Sequence, residues 1–261
     1  MTQVPTALRP LCYFWAQFVR TWKSDVSTTF FTPLLFLASI GAGLGSLGGP
    51  GRPRASLGGV NNRCFLAPAL LATTAMQVAI ARATYDVFGY CNFWTGAYRS
   101  MQASPISTSE IVTGQLTWIA ARVLLASALY LGVSAIFGAV HSPAAAADLV
   151  VGPLVGLAFG APIAAYAVTV RHDQPFTIIF RLVMMPLFLF SGTFFPLSQL
   201  PAALRYLAYA LPLWHGVALS RDLYYGRVDA LADFGHTVYL VALTLAGALA
   251  ARAAFEKRLA R

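Results

Sequence analysis

Charge is what this sequence has least of. Only 10% of its 261 residues are Asp, Glu, Lys or Arg, against 58% hydrophobic residues, a ratio that no water-soluble domain of this size needs for its core. The balance is that of an integral membrane protein. Acids are the scarcer sign, nine against 18 Lys and Arg, which leaves a formal net charge of +9. The basic residues are scattered along apolar runs and gather in the C-terminal RAAFEKRLAR. That pattern fits cytoplasmic membrane flanks better than a nucleic-acid groove, so no nucleic acid is expected as a partner.

Catalytic and metal-binding patterns are missing too. There is no GxxxxGK[ST] loop to hold nucleotide phosphates, so the chain has no route to ATP hydrolysis through that motif. His141, His172, His215 and His236 stand alone without HxxH or HExxH spacing, and no GxSxG elbow or paired acidic motif offers a nucleophile or base. No catalytic residue, metal site or cofactor of the chain's own is expected. Cys12, Cys64 and Cys91 are unevenly spaced in or beside apolar sequence and read as small hydrophobes of the membrane body. Asp86, Glu110, Asp148, Asp173 and Asp233 all fall at span ends or in loops, which leaves the span centres without the acids that ion-coupled carriers use. Arg122 and Arg181 do lie within spans; Arg181 is near enough to one end to snorkel, whereas Arg122 is expected to face protein or a polar cavity. The N-terminus lacks the signal-peptide order of basic region, apolar core and cleavage site, so no removed segment is expected.

Long apolar runs are abundant. A bilayer core of about 30 Å needs roughly 20 apolar residues per helix, and six segments meet this: about 28–47, 65–88, 112–137, 149–170, 175–193 and 234–254. No repeat or low-complexity linker separates them, so residues 1–261 read as one all-α membrane domain. Ahead of the first span, residues 8–24 place Leu11, Phe14, Trp15, Phe18 and Trp22 at helical spacing, with Arg9, Gln17, Arg20 and Lys23 mostly on other faces. This suits a helix lying in the membrane interface. The Lys and Arg bias favours both termini inside, although Arg52 and Arg54 in a short outer loop run against it.

Gly41 and Gly45, then Gly152, Gly156 and Gly160, recur every four residues. Such spacing lets helix backbones approach closely, within one chain or between subunits of a dimer. The stretch PLFLFSGTFFPLSQLPAALRYLAYALPLWH, residues 186–215, is too apolar for a free outer loop and too broken by proline for a span. It reads as two short helices that dip into the outer leaflet and return, within a re-entrant pair at about 194–226. Pro212 is expected to stop the helix that begins at Ala202. Phe190, Phe194, Phe195, Tyr206, Tyr209 and Trp214 cluster there; they suit either an interfacial aromatic belt or a lateral exit for a lipid-like cargo.

Two segments carry a family resemblance: GYCNFWTGAYRSMQASPISTSEIVTGQ between spans two and three, and FLFSGTFFPLSQLPAALRYLAYALPLWHGVALSRDLYYGR between spans five and six. With PLLFLASIGAGLG in span one, they resemble the permease subunits of type-2 ABC exporters, above all the nodulation-factor (lipo-oligosaccharide) and daunorubicin-resistance permeases. The resemblance implies a six-helix plasma-membrane subunit that pairs with a second permease chain and binds two copies of a separate ABC ATPase, where ATP and Mg are held. It also implies export of an amphipathic or hydrophobic cargo (a glycolipid, lipid-linked saccharide or lipophilic drug), and a re-entrant helix pair before the last span. In that family a short coupling helix between spans two and three sits in a groove of the ATPase; the matching positions are Ala97, Tyr98, Arg99, Ser100 and Met101, followed by the Ser104-Pro105 turn. Arg99 stands where relatives often carry an acid, and Thr95 and Gly96 replace their usual basic neighbours. From the residues alone, Pro105 breaks the preceding helix and Ser107 or Ser109 can cap the next one. An ATP-independent channel or facilitator is the competing class, and a membrane enzyme a third.

Overall fold

A computed structural model describes residues 9–23, 35, 62–91, 96–194, 196–199, 201–227 and 229–260, with side chains from Phe65 onward in the helix that starts at Asn62. Span one at 28–47, with Gly41 and Gly45, and also Phe195, lie outside the described residues. Within them the chain is helical without strands. We number its helices α1 (9–23), α2 (Asn62–Cys91), α3 (Ala97–Gln102), α4 (Thr108–Ile136), α5 (Asp148–Ala167), α6 (Gln174–Phe190), α7 (Ala202–Tyr209), α8 (Pro212–Tyr225) and α9 (Ala230–Leu259).

Among the described residues, four stretches are long and apolar enough to cross a bilayer: Phe65–Cys91, Thr108–Ile136, Pro143–Ala167 and Ala230–Leu259. They correspond to the second, third, fourth and sixth expected spans. The fifth differs. It forms α6, a shorter apolar helix that widens into a π-helical stretch at Ile179–Met184 and ends in Ser191-Gly192, where Gly192 takes a φ of 79°. A positive φ costs glycine little and any other residue more, which is why the helix stops there. Thr193 returns to the body, its hydroxyl 2.8 Å from that of Ser191 and 3.5 Å from that of Thr73 on α2.

The long helices start where side chains satisfy their first amides. Ser107 opens α4 with a capping box: its Oγ accepts from the Glu110 amide, and Glu110 Oε2 accepts from the Ser107 amide at 2.7 Å. Asp229 caps α9 by accepting from the Leu231 and Ala232 amides. At Pro212 the expectation is overturned. Pro212 does not end a helix but occupies the first turn of α8, a position whose amide is unsatisfied in any case and which proline's fixed φ suits. The break falls two residues earlier, at Ala210-Leu211.

α2 and α5 form the interior. In the apolar window of α2, 72% of the residues are buried, against 22% in α9, which packs along α5 and leaves most of its residues outside the core. The glycines explain how closely these helices approach. A Cβ on Gly156 would lie 2.8 Å from Val123 of α4, one on Gly160 would lie 3.3 Å from Ile119, and Gly152 faces Ser127. All three therefore set the α4–α5 contact within this chain. Gly216 of α8 lies against Val155, and Gly247 of α9 against Pro162. Neither belongs to a four-residue glycine repeat.

The helices divide the molecule into two ends. α1, α3, the α5–α6 turn and the end of α9 share one, around Phe14, Tyr98, Trp118, Phe176 and Phe255. The α4–α5 loop and the segment from Ser191 to Asp229 share the other, over a cluster of Phe65, Leu71, Tyr130 and Tyr224.

α1 itself departs from the expected single apolar face. Phe14 is buried and Phe18 is packed inward, and Gln17 sits with them, accepting from Tyr90 Oη at 2.8 Å. Trp15, Val19 and Trp22 point outward. A helix lying between protein and lipid has two apolar flanks, and the sequence pattern sums them into one.

Candidate functional site

The segment joining α2 to α4 turns within a few residues because Gly96 adopts a left-handed φ of 56° just before α3. The six residues of α3 then divide by face. Ala97, Tyr98 and Met101 are buried; Arg99 and Ser100 are exposed. Tyr98 is the anchor. Its hydroxyl donates to Gln115 Oε1 of α4 at 3.1 Å, and its ring meets Tyr90 of α2 at 5.6 Å and Phe255 of α9 at 5.4 Å, both edge-on. Full burial pushes its phenol well above the ordinary tyrosine value, so it acts as a neutral donor.

A second tie runs from Gln102 Nε2 to the Leu259 carbonyl at 3.4 Å. The return to α4 is equally fixed. Ser104 Oγ donates to the Met101 carbonyl at 2.6 Å, the Ile106 amide donates to the Ser104 carbonyl at 2.7 Å, and exposed Pro105 lies between them. Of the two serines expected to cap α4, Ser107 does so, and Ser109 Oγ lies 3.1 Å from it. Three helices of the membrane body thus hold one short helix whose Arg99 and Ser100 face outward.

The aromatic residues at the opposite end do not form one cluster. Phe194 meets Phe188 edge-on at 4.8 Å, and Phe190 lies half-buried at the end of α6. Tyr206 on α7 is 73% exposed. Tyr209 and Trp214 meet at 4.7 Å across the α7–α8 break and join a third group, His215, His236 and Tyr239. There the two Nδ1 atoms of His215 and His236 are 2.8 Å apart, Tyr239 stacks on His215 at 4.0 Å, and Tyr239 Oη donates to the Ala210 carbonyl. α7 is tied down through Arg205, which donates to the Leu197 and Ser198 carbonyls, but its own residues are mostly exposed. α8 is the buried partner, with Leu213, Val217 and Tyr224 inward.

The segment between residues 11 and 225 matches the model of the ABC-2 type transporter family, described as the membrane domain. The chain belongs to that family. It is similar to Nodulation protein J of Rhizobium leguminosarum bv. trifolii, 32% identical over 213 residues that cover 80% of this chain and 78% of the relative. It is also similar to Nodulation protein J of Rhizobium leguminosarum bv. viciae and of Rhizobium meliloti (strain 1021), each 29% identical over 82% and 81% of this chain and 81% and 80% of the relative.

As an ABC-2 permease the chain is a multi-pass membrane component of a transporter, and the family implies partnership with an ABC ATPase subunit. Sequence reasoning missed two features of this permease. π-helical turns interrupt α2 at Arg82–Asp86 and α6 at Ile179–Met184, and they face each other: Tyr85 stacks on Phe180 at 5.7 Å and 16°, with Phe176 edge-on to both Tyr85 and Phe88. The turn in α2 contains no glycine or proline, whereas the turn in α6 is followed two residues on by Pro186, which has no amide to donate back to the Leu182 carbonyl. Asp148 is the second. It stands at a span end as expected, yet it is fully buried and accepts from Ser220 Oγ of α8 at 2.8 Å.

Proposed function

We propose that the chain is the permease of an ATP-driven exporter, powered by two separate ABC ATPase subunits that dock at the end carrying α3. The observation that carries this reading is the attachment of α3. Its outward Arg99 and Ser100 give a partner something to push, and Tyr98 passes the push to α2, α4 and α9 through Tyr90, Gln115 and Phe255. A rigid bracket of this kind transmits displacement because packed interfaces shift between discrete arrangements and do not deform continuously.

ATP and Mg belong to the ATPases; this chain supplies the membrane path. Two permease chains, the same or related, would part along spans one, two and five when the ATPases close. Both termini are cytoplasmic in this reading. Arg9, Arg20, Lys23, Arg99, Arg171, Lys257 and Arg258 all lie at the α3 end, in agreement with the bias of Lys and Arg toward the cytoplasm. The membrane is the bacterial plasma membrane, and the cargo is amphipathic or hydrophobic, leaving past the α7–α8 pair. The aromatic groups around Phe194, Tyr209 and Trp214 support that exit.

The test is reconstitution with an ABC ATPase that co-purifies with this chain. Transport should stop when the ATPase loses its catalytic glutamate. A complex that still transports is a channel or facilitator, and the proposal fails.

A further inference from the structure

The end of α6 opposite α3 is tied down at two points of unequal strength. Thr193 Oγ1 lies 3.5 Å from Thr73 Oγ1 of α2, too long for a strong hydrogen bond between hydroxyls. Gly192 makes the shorter tie. Its carbonyl accepts from Nη2 of Arg221 on α8 at 2.7 Å, and a bond from a charged donor is about twice as strong as one between neutral groups.

Arg221 is itself held in place. Its guanidinium lies 3.9 Å from the centre of the Phe65 ring at the start of α2, so a stacked plane fixes the direction of the fork. Burial lowers the guanidinium to about 10, with Tyr225 and Asp222 opposing the shift, which leaves it charged at neutral pH. Beside it, Ser220 donates to the buried Asp148 of α5 at 2.8 Å, and α8 packs on α2, α5 and α9. α8 therefore belongs to the fixed body, and Arg221 reaches from it to α6. Next to this tie α6 is less firmly built, because Ile179–Met184 is π-helical and contains no buried residue.

We propose that Arg221 is a positioning residue, the latch that holds this end of α6 against the body, so that α6 comes away from α2 and α8 when its bond to Gly192 breaks. The latch is a property of the chain alone. It stands whichever subunit drives transport and whatever is carried.

The experiment is amide hydrogen exchange, read by mass spectrometry on the full chain in lipid nanodiscs. Arg221→Met keeps a long apolar stem and removes the donor; exchange over residues 187–194 should quicken about tenfold, while residues 212–225 keep their original rate. Arg221→Lys retains a charged donor without the planar fork and should fall between the two. Phe65→Leu leaves the donor and takes away the ring that aims it, so it should quicken the same segment by a smaller factor. Thr73→Val removes the weaker tie and should change that segment by less than about twofold. If Arg221→Met does not fold, the contrast between Phe65→Leu and Thr73→Val carries the test. A residue that merely packs α8 would quicken residues 212–225 instead. That result, residues 187–194 unmoved by Phe65→Leu, or an effect of Thr73→Val as large as that of the Arg221 and Phe65 variants, overturns the proposal.

Discussion

Tyr98 shows how much one side chain carries. It is fully buried, touches three helices and donates its only proton to Gln115, whose Nε2 is itself buried without a partner. Tyr98→Phe leaves the Gln115 carbonyl oxygen without its donor, and should destabilise the protein by about 1 kcal/mol, seen as a lower unfolding temperature in detergent. Arg99→Glu should leave that temperature unchanged and reduce stimulation of the partner ATPase, because Arg99 is exposed and packs against nothing that the fold needs. The glycines divide in the same way. Gly156→Ala places a methyl 2.8 Å from Val123, a branched side chain on a packed helix, and should cost about 1–3 kcal/mol. Gly132→Ala meets nothing within 4 Å and should be neutral or stabilising by up to about 1 kcal/mol. Sequence alone could list these glycines but not rank them, since the spacing is silent on what stands opposite.

At the scale of elements, α3 and the α7–α8 pair are the parts whose connections matter. Ser107→Ala removes the acceptor for the Glu110 amide and should cost about 1 kcal/mol. Faster amide exchange confined to residues 103–112 would register it. α8 meets α9 through the His215–His236 contact, in which one Nδ1–H must donate to the bare Nδ1 of the other ring. Burial, and then the neighbouring His236, pushes His215 down from 6.5 to about 4. The unfolded chain therefore takes up a proton at this residue before the folded one does. Above pH 6.5 the effect is absent. Stability should decline as pH falls from about 6.5 toward about 4, and His215→Phe should remove that part of the pH dependence in thermal unfolding. Helix existence was legible here and helix boundaries less so. The proline-rich run was readable as two helices, but Pro212 was assigned to the wrong one, because proline both ends helices and begins them and the choice depends on which neighbour packs.

For the molecule as a whole, the prediction concerns assembly. Two differently tagged copies, expressed together with the ATPase, should co-purify if the permease pairs with itself; recovery of one tag alone would make the second permease a related chain. Membrane residence, the all-helical class, four of the long spans and the family were determined by the sequence itself, because hydropathy over about 20 residues and a short polar motif between spans are local properties that no folding partner has to complete. Arg122 was expected to face protein or a polar cavity, and the structure puts it under α1. What only the tertiary structure decided is which faces meet. α1 has two apolar flanks and not one, Asp148 at a helix start is buried against Ser220, and the π-helical turns of α2 and α6 stack Tyr85 on Phe180. Each depends on a residue distant in the chain arriving at a set distance. Periodicity records which side of a helix avoids water, and in a membrane protein lipid and protein satisfy that demand equally well, so only packing tells them apart.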